Sequence, residues 1–109
     1  MSTKIRAIIK RPDEDIGHVT NISPTLENLQ NIVDGYIETV TIRPGVVVIC
    51  NEEGRITGLD PNCEVKVETL MGQGTVDFCG EIVVVGAEGD KFCDLPEWVT
   101  RKEWAQWLV

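Results

Sequence analysis

The stretch YIETVTIRPGVVVICNEEGRITGLDPNC, residues 36–63, decides the fold. Its first part, Tyr36 to Ile42, is rich in β-branched residues and alternates imperfectly. Tyr36, Val40 and Ile42 fall on one face, with Ile37, Thr39 and Thr41 on the other, so a strand is favoured over a helix. Arg43-Pro44-Gly45 is turn chemistry, because Pro fixes φ and Gly tolerates positive φ. Val46 to Cys50 is unbroken apolar, which is the pattern of a strand buried on both faces. Asn51-Glu52-Glu53-Gly54 ends that strand. Gly58 to Asn62 reads as an irregular loop, since the residue before Pro61 is disfavoured in a helix.

Towards the N-terminus, Lys4 to Arg11 alternates well. Ile5, Ala7 and Ile9 share one face; Lys4, Arg6 and Lys10 share the other, with Ile8 between them. This predicts a strand with a basic stripe, either solvated or able to hold a phosphate or carboxylate. Pro12 to Asp15 is a polar turn, and Ile16 to Ile22 can pair back as a second strand. Ser23-Pro24 is a helix start, with Ser as N-cap and Pro at the first helical position. Leu26, Leu29, Ile32 and Val33 follow on one apolar face. Asp34-Gly35 closes the helix, with Gly free to take the left-handed cap conformation.

Towards the C-terminus, Glu64 to Leu70 alternates weakly and suggests a short edge strand, followed by a flexible Met71-Gly72-Gln73-Gly74. The two glycines resemble part of a nucleotide-binding loop, but no capped helix follows and the fingerprint is incomplete. Glu81 to Gly86 is another strong strand, and Lys91 to Leu95 returns after a turn. Thr100-Arg101-Lys102-Glu103 is a capping box that opens a short C-terminal helix. Trp98, Trp104 and Trp107 all lie in this last segment, where aromatic clusters close a core or an oligomer interface, or stack on a flat ligand. The order of elements gives an α+β fold: a mainly antiparallel β-sheet with one amphipathic helix packed on it and a short C-terminal helix, the helices lying on one side of the sheet or at an end.

With 109 residues and 42% hydrophobic content, the chain is read as one folded domain over residues 1–109. No apolar run approaches the roughly 20 residues of a membrane span. Nor is there a signal-peptide pattern, so a cytoplasmic protein with reduced cysteines is expected. The net charge is −8. Residues 12–100 carry all but one of the 18 acids, against Arg43, Arg55, Lys66 and Lys91 as the bases. Such a body disfavours direct nucleic-acid binding and suits either plain solubility or the presentation of carboxylates to a nucleic-acid-binding partner.

Catalytic chemistry finds little support. His18 is the single histidine, which excludes a two-His metal site within one chain and reads as a strand surface residue. Cys50, Cys63, Cys79 and Cys93 form no C-x-x-C pair, and read as small buried hydrophobes rather than metal ligands. Glu52-Glu53 sits at a loop tip with its side chains directed apart, and no nucleophile elbow occurs. A non-enzymatic protein without cofactor or metal is expected.

The helix and strand TLENLQNIVDGYIETVTI, then VVVICNEEGRITGLDPNC, then GEIVVVGAEGDKF with a short closing helix, resemble a domain-of-unknown-function family of phages and mobile elements, family 3846. The residues that carry the resemblance are Leu26 to Glu38, Asn51 to Gly54, Gly58 to Asn62 and Gly80 to Gly86. The acidic Glu64 to Thr75 region and the Trp-rich end depart from the pattern. The resemblance implies a small phage or plasmid accessory protein in the host cytoplasm that acts against host defence or on host physiology. Within that setting two expectations stand. One is sequestration of a small anionic, nucleotide-like ligand, such as a nucleotide-derived signal. Arg55, Asn62, Lys4, Arg6 and Lys10 would hold its phosphates, Tyr36 or a Trp would stack on its base, and homo-oligomerisation would deepen the pocket. The other is an acidic mimic of nucleic acid that inhibits a host DNA-binding or restriction protein.

Overall fold

In a computed structural model, residues 3–109 are described. Among them the chain forms β1 (Ile5–Lys10), β2 (His18–Ile22), α1 (Leu26–Val33), β3 (Ile37–Arg43), β4 (Val46–Asn51), β5 (Pro61–Thr69), β6 (Gly72–Cys79), β7 (Ile82–Glu88), β8 (Lys91–Cys93) and α2 (Arg101–Trp107). The main sheet runs in the order β2-β1-β7-β4-β3, with β8 added to β7. Every pairing within it is antiparallel. β5 and β6 form a separate two-stranded sheet. The α+β reading holds.

The two innermost strands explain the layering. Val46 to Cys50 of β4 and Ile82 to Val85 of β7 are buried throughout. Alternation therefore sends apolar side chains out of both faces of the sheet, and each face needs a cover. On one face Ala7, Ile9, Val47, Ile49, Val83 and Val85 pack with Leu29 and Val33 of α1. On the other Ile8, Ile42, Val46, Val48, Ile82 and Val84 pack with Val65 and Phe78 of the β5–β6 hairpin and with Leu95, Val99, Trp104 and Trp107. The helices thus lie on opposite faces, not on one side or at an end.

Other expectations change in detail. Thr25 caps α1, its Oγ1 accepting from the Asn28 N–H at 3.2 Å, because it stands three residues before that free amide. Ser23 and Pro24 precede the helix. Asp34, at φ 61 and ψ 46, takes the left-handed cap conformation expected of Gly35. The short edge strand expected at Glu64–Leu70 is the longer β5, and the flexible 71–74 segment contains the turn and the start of β6. The register sets Val65 opposite Val76 and Val67 opposite Gly74, so the apolar signal is split between two arms and weak in each. Gly72 and Gly74 therefore belong to a hairpin and not to a phosphate-binding loop.

β8 and the residues after it dock against β1 and β7 together. The Arg6 N–H donates to Asp94 Oδ1 at 2.7 Å, and the Leu95 N–H donates to the Arg6 carbonyl at 2.9 Å. Gly86 pairs with Cys93, and a methyl group added at Gly86 would collide with the Asp94 carbonyl oxygen and crowd Cys93 Sγ. Gly86→Ala should therefore lower the urea midpoint by the equivalent of about 1–3 kcal/mol with little change in slope. An unchanged midpoint would show that the Cys93–Leu95 segment does not sit against β7 in this way.

Candidate functional site

The basic stripe of β1 is present, but most of it faces protein. Arg6 donates from Nη1 to the carbonyls of Leu95 (3.0 Å) and Pro96 (3.2 Å), and from Nη2 to Val99 (2.9 Å). Lys10 is 2% exposed, and its Nζ donates to Asn62 Oδ1 at 2.6 Å and to the Arg11 carbonyl at 3.4 Å. Lys4 is exposed at the start of the strand. Half-buried Arg6 and buried Lys10 are thus anchors for the covering layer, with their polar atoms engaged by protein carbonyls and Asn62.

Asn62 completes this anchor. The register of β5 and β6 shifts between Pro61 and Cys63, which leaves Asn62 as the bulged residue. Its Nδ2 donates to the carbonyls of Lys10 (2.9 Å) and Gly80 (2.7 Å) while Oδ1 receives Lys10 Nζ. Three bonds engage the whole amide and tie the base of the hairpin to β1 and to the turn before β7. Asn62→Ala would strip partners from a buried amine and two carbonyls, so a loss of about 2–4 kcal/mol in denaturant unfolding is expected. Full stability in that variant would remove the clip from the account.

Arg55 and Tyr36 lie in the loop pole formed by the ends of α1, β3 and β4. Asn51 builds this pole. Its Nδ2 donates to the carbonyls of Val33 and Asp34, both at 3.0 Å, and its Oδ1 accepts from the Glu53 N–H at 2.8 Å. The helix end is thereby stapled to the Glu52-Glu53 turn. Arg55 Nη2 donates to the Asp77 carbonyl at 2.7 Å, although the residue remains exposed. It borders two depressions. One, of about 300 Å³, is lined by Glu38, Cys50, Glu52, Ile56 and Asp77 among others. The second, of about 400 Å³, is lined by Asn62, Cys63, Phe78 and Cys79 among others. Tyr36 borders another with Asp34, Asn51, Glu53 and Thr57. Arg55 and Asn62 therefore share a depression, Tyr36 stands beside a different one, and Lys4, Arg6 and Lys10 line none of these. Glu38, Asn51, Ile56 and Asp77 were not legible as site residues. Only Asn51 carried a signal, as an Asx residue directly after a buried strand.

The pole is acidic and partly apolar. Asp34, Glu38, Glu52, Glu53 and Asp60 are exposed, and among the described residues none of them forms an ion pair. Tyr36 is 72% and Ile56 85% exposed beside them. Two thiols nearby are held in the neutral form. Burial, with help from Glu38 and against Arg55, pushes Cys50 up from 9.0 to about 11. Burial likewise pushes Cys63 to about 11, against a downward pull from Lys10. Because both pKa values are raised on folding, the neutral thiols favour the folded state fully below pH 9, and that contribution is lost as pH rises through about 11. At pH 8, Cys50 and Cys63 should alkylate more slowly than an unfolded thiol, read by peptide mass mapping. Rapid labelling of either in the folded protein would contradict the burial of Cys50 or the partial burial of Cys63.

The tryptophans divide. Trp104 is fully buried, and its Nε1 donates to the Ile16 carbonyl at 2.8 Å. Trp107 is buried beneath the Arg43 guanidinium, 4.3 Å from its ring centroid, and its Nε1 donates to Glu103 Oε2 at 3.1 Å. Glu103 therefore serves Trp107 instead of closing the capping box, of which only the Thr100 half forms. Trp98 is 55% exposed and meets Trp107 edge-on at 5.9 Å. Core packing accounts for Trp104 and Trp107.

No significant match is found among curated proteins or among solved structures. A family model does match, described as Domain of unknown function (DUF3846), and it covers residues 5–108, from the first residue of β1 to the C-cap of α2. On that nearly complete match, the chain belongs to the DUF3846 family.

Proposed function

We propose that this protein is a non-enzymatic accessory protein of a phage or mobile element, acting in the host cytoplasm. In this reading its acidic loop pole engages the cationic, nucleic-acid-contacting face of a host defence or restriction protein. The observation that carries this reading is the cluster of water-facing acids at the pole, none of which forms an ion pair among the described residues. Arg6, Lys10, Arg43, Arg55, Lys66 and Arg101 all donate to main-chain carbonyls of their own chain. Asp34, Glu38, Glu52, Glu53 and Asp60 face water. Gathered at one pole, these acids present a partner with a denser negative patch than the same charge spread evenly over the surface. The exposed Tyr36 and Ile56 supply apolar contact within the same pole, which a docking surface needs in addition to charge.

A second reading keeps one observation in its favour. Arg55 is exposed and borders depressions of about 300 and 400 Å³, which suits capture of a small nucleotide-like anion. One titration separates the two. An arginine-rich peptide stands in for the basic partner face, and ATP stands in for the anion. Under the first reading the peptide binds, binding weakens as salt rises, and Glu38→Gln/Glu52→Gln/Glu53→Gln weakens it by about tenfold or more while Arg55→Glu does not. Peptide binding that ignores the triple variant sinks this reading. ATP binding that is lost in Arg55→Glu would transfer the function to anion sequestration.

A further inference from the structure

In a chain that is 26% charged, the run from Thr69 to Val76 carries no charge at all. It forms the outer end of the β5–β6 hairpin, and residues 70–75 are all exposed. At the tip Leu70 is 100% and Met71 95% exposed, the two most exposed large apolar side chains among the described residues. Behind the tip, β6 pairs with β5 alone, and from Gly72 to Thr75 no loop, side chain or other strand among the described residues bonds to its backbone. The edge closes only further along, where Arg55 donates to the Asp77 carbonyl. Open strand edges ordinarily carry charge, Pro or a bulge that discourages pairing with another chain. The Gly72–Thr75 edge has none of these, and its two glycines leave the backbone uncovered.

We infer that this edge is a self-association site, at which β6 of one copy pairs antiparallel with β6 of a second copy. Electrostatics selects the occupant. Two copies at net charge −8 repel each other over most of their surfaces, and the uncharged hairpin end is where they can approach without opposing like charges. An isologous pairing also suits a two-fold dimer, because a strand read antiparallel to itself presents the same residues from both sides. Pairing centred on Gly74 sets Gln73 opposite the second copy's Thr75 and Gly72 opposite its Val76, all within the uncharged run and short of the Asp77 carbonyl that Arg55 covers. β2 is another uncharged outer strand, but Asp13 and Asp15 stand just before it and no exposed apolar pair lies at its end. The joint is small, so a weak dimer is expected.

Sedimentation velocity on the full chain, over a concentration series spanning the micromolar range, is the test. The parent should pass from monomer to dimer. Gln73→Glu/Thr75→Glu places acids opposite acids, and Gln73→Lys/Thr75→Lys places bases opposite bases. Each variant alone should shift the midpoint at least tenfold towards monomer, although the lysine variant lowers the net negative charge. Mixing the two should restore a dimer, since each acid then faces a base. All four positions of the pair are exposed, so near-ultraviolet circular dichroism should show the parent's fold in both variants. A parent that stays monomeric throughout overturns the inference. Variants that dimerise as the parent does, or that fail to associate when mixed, overturn pairing through β6.

Discussion

The structure depends on the apolarity of β4 and β7 on both faces. A sheet whose inner strands are buried throughout cannot leave either side to water. At about 25 cal/mol per Å² of apolar surface, exposing one face would remove more than a small domain has to spare. The chain meets this demand with unlike covers. α1, a regular amphipathic helix, suffices on one side. The other side is covered by a hairpin, an irregular crossing segment and a short tryptophan-bearing helix, which together replace a single long element.

An irregular cover needs polar fastening, because its main-chain groups do not all find partners in a ladder. The lysines and arginines serve this purpose. Arg6 gathers the carbonyls of Leu95, Pro96 and Val99, Arg43 reaches Lys66, and Arg101 reaches Gly17. Lys10 and Asn62 do the same at the base of the hairpin. A cation bonded to a neutral carbonyl keeps its charge but loses its availability. Arg6, Lys10 and Arg43 are thus built into the scaffold, and the exposed acids outnumber the exposed cations.

How far residues alone disclose this follows from how local each cause is. The two-face burial of β4 was readable because Val46 to Cys50 is contiguous, and the amphipathic face of α1 because helical spacing is local. The length of β5 and β6 was not, since only Val65, Val67, Val76 and Phe78 mark the buried side and the outer half is polar or glycine. The role of the β1 stripe was hidden for a different reason. Alternation shows which face Arg6 and Lys10 occupy but not what covers that face, and the cover lies far along the chain. For the same reason the sequence suggests Asn62 and Arg55 as ligand-binding residues without any indication that Asn62 is engaged internally. The tryptophans were grouped correctly by position, while the exposure of Trp98 depends on a turn geometry that no short pattern encodes.

The Arg6 contacts join residues separated by 89, 90 and 93 positions, and although β1 pairs early with β2, its other edge meets β7 only at Ile82–Val84, with Ile8 opposite Val84. On the inner edge of β1, chain order and folding order are therefore opposed. β1 can pair with β2 as soon as both are made, but its inner edge and the Arg6 side chain stay without partners until β7 and the segment up to Val99 have left the ribosome. Contacts of such long sequence separation slow folding and prolong the life of unpaired strand edges. Here the charge spread along the acidic middle of the chain has a role before the fold exists. It keeps the waiting strands of neighbouring chains apart during the interval in which the apolar runs of β4 and β7 would otherwise find each other.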